Sequence, residues 1–441
     1  MAANVKVNTQ KKDIDDSSKE KVKNNKLNKS NKALYSIFAI IIGILIGIIL
    51  LMITGNSFSQ YFSELFNNSL GSLSAFGDTL GSLAWIIPLG LCMVVSFRIG
   101  VFNIGSAGQM LFSGFIAYLF ALEIGDTFGA YGIIFIAMTA IVAGALVAWF
   151  IGILKTKLGV NEVISSILIN WIVFLFIVWS QTNINSMIDG TGFTHYDTSL
   201  SLRTNWLSSA FNDSIYVNAG IFVSIPLLII FGIIYSKTKF GFKQDVIGNN
   251  ANVANYIGIN KKRQYLKAMI LSGALAGVAG WIYIFGTQDS FPKQTGEISG
   301  DMYQGITIAL IGFNTYTGTL FASFFVSIFM TGGGFADSSV SGLPMTDIIL
   351  ATIILIMAIT HFFIIYRPQD KWFAPSPKSK EMSKYKEDVI KNKEEETKPI
   401  IESKEDSTQN KDDSESSSTN SKKDKKKKKK KSKNKAEEDE E

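Results

Sequence analysis

The strongest constraint on this fold is a series of long apolar runs that carry no Asp, Glu, Lys or Arg at their centres. A helix of about 20 residues spans about 30 Å, which matches the hydrocarbon core of a bilayer. We therefore predict an all-α polytopic membrane protein with about ten transmembrane helices. The ten runs are Leu34–Ile53, Leu80–Phe97, Ile104–Leu122, Ala130–Leu154, Val163–Gln181, Tyr216–Tyr235, Ala268–Phe285, Tyr303–Phe313, Thr317–Thr331 and Thr346–Tyr366.

Three of these runs need separate treatment. Leu34–Ile53 follows a charged leader of 33 residues, and it is longer than the apolar region of a signal peptide, which is about 7–15 residues. We interpret it as a retained first span. Tyr303–Phe313 and Thr317–Thr331 are short, so either can be a broken or re-entrant helix that protein or a water-filled cavity covers.

Basic residues in the connections predict the orientation. Residues 34–366 contain twelve Lys/Arg and fourteen acidic residues. If the N-terminus is cytoplasmic and the ten spans alternate, ten of the twelve basic residues fall inside, and only Arg203 and Lys293 fall outside. Because cytoplasmic loops are enriched in Lys and Arg, we predict a multi-pass plasma-membrane protein with both termini cytoplasmic.

The two ends differ in composition from the membrane body at 34–366. Residues 1–33 contain nine Lys and four acidic residues, and residues 367–441 are a Lys/Glu-rich segment that includes Lys425–Lys431. Such segments cannot bury enough apolar surface to fold, so we predict a disordered tail at each end. The lysine run can contact anionic membrane lipid. The alternative is a solvated tail with no specific partner, and we expect no nucleic-acid partner.

Several classes of mechanism lack their residues in this chain. No run has the central carboxylate that ion-driven transporters commonly carry. The P-loop pattern GxxxxGK[ST] and the filter sequence TVGYG are absent. The single cysteine, Cys92, and two distant histidines, His195 and His361, do not form a common zinc motif. We expect no catalytic residue, no metal site and no cofactor bound by this chain.

Polar, uncharged residues do occur within the runs. They are Asn103, Gln109, Ser165, Ser166, Asn170, Asn218, Ser272, Thr307 and His361. In hydrocarbon such groups must face other helices or a wet path. For each residue alone, a hydrogen bond between helices is the simpler explanation. As a set they suit a path for a polar, uncharged solute.

The longest predicted cytoplasmic connection within the membrane body, residues 236–267, contains a short helix of its own. Asn250 is a favourable N-cap for Ala251–Ile257, and Gly258 can end the helix. One face of this helix is apolar and comprises Val253, Tyr256 and Ile257. Because a two-turn helix is marginal alone, this face suits docking into a groove on another protein. The alternative is a surface helix that lies on its own membrane domain or on lipid.

Several stretches resemble one protein family. The chain is similar to permease subunits of ABC importers for branched-chain amino acids, ribose and nucleosides, and within them to the nucleoside/simple-sugar branch. The resemblance lies in order within about residues 80–366. Its motifs are VFNIGSAGQMLFSGF (Val101–Phe115), GVNEVISSILINWI (Gly159–Ile172), GNNANVANYIGIN (Gly248–Asn260), LSGALAGVAGW (Leu271–Trp281) and GITIALIG (Gly305–Gly312).

The resemblance implies a driving force from outside this chain. A second permease subunit would share the path, and ABC ATPase subunits carrying ATP and Mg²⁺ would act through the cytoplasmic helix. An extracellular substrate-binding protein, a lipoprotein where there is no periplasm, would deliver a nucleoside or simple sugar. The coupling residues would be Gly248, Asn250, Ala251, Val253, Ala254, Tyr256, Ile257 and Gly258.

Within this resemblance we predict a substrate path from polar and glycine residues near two of the motifs. They are Asn103, Gly105, Gly108, Gln109, Asn161, Glu162, Asn170 and Trp171. Glycines let backbone approach a ligand closely, and an aromatic ring can stack on a base or sugar. Asn161 and Glu162 can instead cap the helix that begins at Val163, and Trp171 can instead pack on lipid or another helix.

The sequence also departs from the family and leaves other functions open. Ala107 stands where the family often has an acidic residue, and the outside connection Asn183–Ile215 is long. One alternative is a stand-alone facilitator or secondary transporter for a polar, uncharged solute. Others are an ABC permease for ribose or branched-chain amino acids, and a membrane scaffold whose basic tail recruits lipid or nucleic acid.

Overall fold

The computed structural model describes residues 36–184, 188–189 and 192–365. The predicted tails, residues 1–33 and 367–441, lie outside the described residues, as does the end of the last predicted span. The side chain of His361 is also outside the description.

The described residues are almost entirely helical. The helices are α1 (Ser36–Ile53), α2 (Phe58–Leu70), α3 (Leu73–Arg98), α4 (Ser106–Phe128), α5 (Gly132–Leu158), α6 (Glu162–Asn183), α7 (Asn205–Ala210), α8 (Ile221–Lys237), α9 (Lys239–Asn249), α10 (Ala251–Tyr256), α11 (Lys261–Thr287), α12 (Gln304–Ile311), α13 (Tyr316–Ala336) and α14 (Met345–Ile365). Two-residue strands, β1 (Ile188–Asp189) and β2 (Gly192–Phe193), pair antiparallel.

Seven of the described helices are long and apolar enough to cross a membrane, and α8 with α9 would make an eighth. The seven are α1, α3, α4, α5, α6, α11 and α13. An all-α multi-pass architecture is therefore confirmed. The count of ten is not confirmed, because α8 and α9 meet at a 73° bend and α12 has only eight residues.

The two short runs have different structures. Tyr303–Phe313 forms only α12, which ends at a turn where Phe313 (φ 49°) and Asn314 (φ 54°) are left-handed. After the turn, the Thr315 hydroxyl accepts a hydrogen bond from the Gly318 amide (3.1 Å) and caps α13. Helix α13 is 21 residues long, so Thr317–Thr331 marks only part of a full-length helix.

Helix α2 was not among the predicted elements. Ser57 caps it, and its buried side chains, Tyr61, Leu65 and Ser69, face α13. The Tyr61 hydroxyl donates to Asp337 (2.7 Å) and lies 2.8 Å from the Thr346 hydroxyl. An amphipathic helix is too polar to register as an apolar run, although its buried positions have helical spacing.

Helix α11 lies at the centre of the bundle, where it packs on α3, α4 and α5. Its contact with α5 is made through backbone. A Cβ at Gly273 would collide with the Gly144 carbonyl, and one at Gly277 would collide with the Ala140 carbonyl. The glycines of this segment therefore serve close helix packing, which is the common role of small residues where two membrane helices meet.

Candidate functional site

Two predicted path residues form a reciprocal amide pair at the start of α4. Asn103 and Gln109 are fully buried. The Asn103 side-chain NH₂ donates to Gln109 Oε1 (3.1 Å), and the Gln109 NH₂ donates to Asn103 Oδ1 (3.1 Å). Asn103 also donates to the Ser272 hydroxyl (2.8 Å), which in turn donates to the Cys92 carbonyl (2.9 Å). These bonds join α3, the α3–α4 connection, α4 and α11.

Asn170 extends this arrangement to α6. The Gly108 amide donates to Asn170 Oδ1 (3.1 Å), and the Asn170 NH₂ donates to the Ile104 carbonyl (3.2 Å). A Cβ at Gly108 would collide with the Asn170 side chain, and one at Gly105 would lie 3.1 Å from Asn103 Oδ1. We call the five side-chain or backbone partners the amide cluster. They are Asn103, Gly108, Gln109, Asn170 and Ser272.

The amide cluster is bonded within itself in this conformation. Its amide groups are buried, and a buried amide without a partner costs about 1–3 kcal/mol. The hydroxyls of Ser106 and Ser166 are buried without a hydrogen-bond partner among the described residues. They lie on the same helices, α4 and α6, within one turn of Gly108 and Asn170 respectively. The cluster therefore holds α4, α6 and α11 together. The two unpaired serine hydroxyls near it are able to form further hydrogen bonds.

The other predicted path residues have separate partners. Asn161 Oδ1 accepts from the Val163 amide (2.8 Å), so it caps α6. Glu162 forms an ion pair with Lys155 (2.6 Å). The Trp171 side chain is 49% exposed and meets Phe174 edge-on at 5.9 Å. The Asn161 contact corresponds to the alternative interpretation of helix capping. The ion pair of Glu162 and the contact of Trp171 with Phe174 of the same helix correspond neither to capping nor to packing on another helix.

Asp301 was not among the predicted site residues. It lies in the turn Gly300–Tyr303 that leads into α12. Burial raises the pKa of the Asp301 carboxyl, and the nearby carboxylate of Asp347 raises it further. The only signal in the sequence is an acidic residue two positions before an apolar run. Ala107, which the resemblance marks as a departure from the family pattern, is fully buried.

A polar cavity of about 650 Å³ is lined by residues between positions 195 and 205 and by Asp289. Its lining is rich in hydroxyl and amide groups. The lining residues are His195, Tyr196, Thr198, Ser199, Ser201, Arg203, Thr204, Asn205 and Asp289. Arg203 is paired with Asp289, so the charges at this cavity compensate each other.

The predicted cytoplasmic helix is present as α10. Asn250 Oδ1 accepts from the amides of Asn252 (2.9 Å) and Val253 (3.3 Å). Gly258 is left-handed (φ 73°). The N-cap and the terminating glycine are therefore confirmed. The helix ends at Tyr256, one residue earlier than predicted, because Ile257 forms the C-cap.

Helix α10 has one buried side and one exposed apolar side. Ala254 is fully buried, whereas Val253 is 46%, Ile257 is 53% and Tyr256 is 90% exposed. Ala254 packs in a small core of residues from the neighbouring helices and connections. They are Ile99, Val101, Ile151, Ile247, Ala268 and Met269. The helix is thus fixed to the protein by one residue and presents an open apolar face.

The family model and the similar proteins both identify this chain with transport permeases. Residues 75–358 match the family described as "Branched-chain amino acid transport system / permease component". The nucleoside ABC transporter permease NupB of Lactococcus lactis subsp. cremoris (strain MG1363) is 32% identical over 80% of this chain and 98% of its own length. The guanosine ABC transporter permease NupP of Bacillus subtilis (strain 168) is 30% identical over 74% of this chain and 93% of its own length.

A more distant relative has a different solute in its name. The glucose ABC transporter permease TsgB13 of Haloferax volcanii is 26% identical over 69% of this chain and 82% of its own length. No solved structure matches this chain. The matched residues include the amide cluster and α10 within a multi-pass helical body. This chain therefore belongs to the ABC transporter permease family of branched-chain amino acid transport systems, a family of transport components.

Proposed function

We propose that this chain is a membrane permease subunit of an ATP-driven importer of nucleosides. The observation that carries the proposal is α10, a capped helix in the long predicted cytoplasmic connection of a family member, with Tyr256 90% exposed. An exposed apolar face on a short, anchored helix suits insertion into a groove of a partner. The partner that fits is an ABC ATPase subunit with bound ATP and Mg²⁺.

The proposed topology keeps ten crossings and two cytoplasmic termini in the plasma membrane. Ten of the twelve basic residues of the membrane body then face the cytoplasm. In this arrangement α8 and α14 each complete a crossing, and α12, which is too short to span alone, forms only part of a broken crossing that neighbouring helices cover. The same orientation puts α9 and α10 in the cytoplasm and the cavity around Arg203 outside, where an extracellular binding lipoprotein would deliver solute.

The substrate path in this proposal includes all eight predicted residues. Support is strongest for the five around the start of α4. They are Asn103, Gly105, Gly108, Gln109 and Asn170, which the hydrogen bonds and close contacts above bring together. A second permease subunit would supply the remaining wall. The amides would exchange their mutual hydrogen bonds for bonds to a polar, uncharged solute.

Nucleosides are the preferred solute because two relatives covering most of this chain are named for nucleoside and guanosine transport. A simple sugar is the second candidate, favoured by the glucose permease relative. Uptake of labelled guanosine, glucose, ribose and leucine by cells with and without this gene would separate these solutes. Uptake into liposomes by this purified chain alone, without ATP, would instead favour a stand-alone facilitator.

Two matched variants test the docking role of α10. Tyr256→Asp places a charge on the exposed apolar face and is expected to abolish ATPase co-purification and uptake while membrane insertion is retained. Asn255→Asp is the control, because Asn255 is exposed and lies about 100° around the helix from Tyr256. Normal ATPase binding by Tyr256→Asp would contradict the proposal, as would the absence of a P-loop ATPase from preparations of the unaltered protein.

A further inference from the structure

A bidentate ion pair connects the end of α3 to α9. Arg98 is the last residue of α3, and Asp245 lies on α9. Arg98 Nε donates to Asp245 Oδ1 and Nη2 donates to Oδ2, each at 2.9 Å. The two N–H groups lie in one plane and fix the orientation of the carboxylate as well as its distance. The Arg98 side chain is 23% exposed, so the pair is partly shielded from water.

Two tyrosine rings flank the same guanidinium. Arg98 Cζ lies 5.5 Å from the ring centroid of Tyr235, at the end of α8, and 5.1 Å from that of Tyr316, the first residue of α13. The two rings are themselves 5.5 Å apart. Cation–π contacts at such distances are attractive. One side chain therefore joins α3, α8, α9 and α13, and we call these four residues the arginine clasp.

The arginine clasp lies beside the proposed docking helix. Asn250 both ends α9 and caps α10, so no linker separates the two helices. A Cβ at Gly248 would collide with the Arg98 carbonyl, which means that the α9 backbone abuts the end of α3. Ile99, next to Arg98, packs in the same small core as Ala254 of α10. A displacement of α10 would therefore move α9 and the end of α3, and so change the distances between the four residues of the arginine clasp.

The clasp is also close in sequence to the amide cluster. Cys92 lies six positions before Arg98 on α3, and Asn103 lies five positions after it in the α3–α4 connection. Ser272 bonds to both of these residues. A movement of the end of α3 would therefore act on Ser272 through the Cys92 carbonyl and on the rest of the amide cluster through Asn103.

We propose that Arg98 and Asp245 are positioning residues that transmit movement of α10 to α3 and α13, and through α3 to the amide cluster. This inference rests on the proposed function, in which an ATPase binds α10. The role requires arginine, because lysine keeps the charge but has neither the planar fork for bidentate pairing nor the flat face that packs between two rings.

The test uses the complete complex in proteoliposomes: this chain with its ATPase, second permease and binding protein. The measured quantity is labelled guanosine imported per ATP hydrolysed. Arg98→Lys and Asp245→Asn are expected to lower this ratio about tenfold, within the usual range of coupling between sites. ATPase co-purification and basal ATP hydrolysis should stay at the level of the unaltered protein. The melting temperature should fall, because each variant weakens a partly shielded ion pair, so the ratio is compared for equal amounts of folded permease.

Tyr235 offers a matched pair of controls. Its hydroxyl has no hydrogen-bond partner among the described residues, so Tyr235→Phe keeps the stacking ring and should leave the ratio unchanged. Tyr235→Leu removes the ring and should lower the ratio. These two substitutions separate stacking on Arg98 from the loss of a buried polar group.

The outcomes distinguish the two proposals. If uptake and ATP hydrolysis fall together with the amount of folded permease, at a constant ratio, the clasp is structural only and the inference is overturned. An unchanged ratio in Arg98→Lys and Asp245→Asn overturns it as well, while the proposed function stands. Absence of ATPase from the unaltered complex would overturn the proposed function, and the role of the clasp with it.

Discussion

The amide cluster and α10 use their side chains in opposite ways. In the amide cluster, buried amides bond to one another and to backbone across three helices. In α10, the large side chains of Val253, Tyr256 and Ile257 are left exposed. A buried polar group costs free energy unless it is paired, whereas an exposed apolar side chain is accessible to a partner. The amide cluster therefore stabilises the fold, whereas the exposed face of α10 is accessible to a protein partner.

This contrast predicts different consequences of substitution. A change in the amide cluster should reduce stability, and it should also reduce transport directly if the amides contact the solute as proposed. A change in α10 should reduce transport without altering stability, because only Ala254 of this helix is buried. Substitutions in the two regions can therefore be compared for their effects on stability and on transport.

The largest effect is expected at Gly108. Gly108→Ala would force a Cβ into the Asn170 side chain and break the Gly108–Asn170 hydrogen bond. We expect a loss of about 3 kcal/mol in the free energy of unfolding, as for severe overpacking. Thermal melting of the purified protein in detergent measures it.

Gly334 provides the control for this prediction. It lies on α13, and an added Cβ would meet no atom within 4 Å. Gly334→Ala should therefore stabilise the helix by about 0.5–1 kcal/mol. Equal melting temperatures for the two alanine variants would show that α4 and α6 are not in tight contact.

A second prediction concerns the reciprocal amide pair. Asn103→Leu or Gln109→Met alone leaves one buried amide without its partner and should cost about 2 kcal/mol. The double variant removes both amides and should recover part of that loss, as melting curves would show.

Uptake by the same double variant separates structure from transport. If the amides only hold helices together, uptake should recover with stability. If they contact the solute, as proposed, uptake stays low in the stable double variant. No recovery of the melting temperature would contradict the pairing itself.

A smaller effect is expected at the α10 cap. Asn250→Ala removes the acceptor for the Asn252 and Val253 amides, which costs a short helix about 1 kcal/mol. ATPase binding should weaken about fivefold, with no change in melting temperature, in a titration of permease with ATPase. Asn255→Ala keeps the cap and is the control; a similar loss there would show that the helix does not depend on Asn250.

The smallest effect is expected at Trp171. Its ring is half-exposed and contacts Phe174, so Trp171→Leu should change stability by no more than about 0.5 kcal/mol. Melting curves and guanosine uptake should be measured on the same preparation. Full uptake by Trp171→Leu would show that Trp171 is not part of the proposed path. Loss of uptake at unchanged stability would support its place there.

Features that depend on neighbouring residues could be predicted from the sequence. The α10 cap is one, since Asn250 bonds to amides two and three positions away. The long apolar runs are another, because a run of sufficient length must be helical in lipid. The shortness of the run Tyr303–Phe313 likewise indicated that α12 is not a full-length helix. The bend after α8 was not predicted, because its signal, the α9 N-cap Thr238, is a single residue.

Features that depend on distant residues could not be predicted. Arg98 and Asp245 are 147 positions apart, and neither has a local pattern that identifies the other. Tyr61 and Asp337, which help to hold α2, are 276 positions apart. The amide cluster could be predicted only in part. Its members could be named as polar residues in apolar runs, but whether they face solute or one another depends on how the helices pack.

The end of α12 has a consequence for where water is needed. Eight residues rise about 12 Å, well short of a bilayer core, and a truncated helix normally leaves carbonyls that require hydration. Here the carbonyls of Ile308, Ala309 and Leu310 accept from amides of the following turn, and the Ile311 carbonyl accepts from the Ser36 hydroxyl of α1. The carbonyls at this end of the helix therefore need no water. Because they are bonded within the protein, the negative end of the α12 dipole does not present an open cation site, although it lies beside the start of α1 and the arginine clasp.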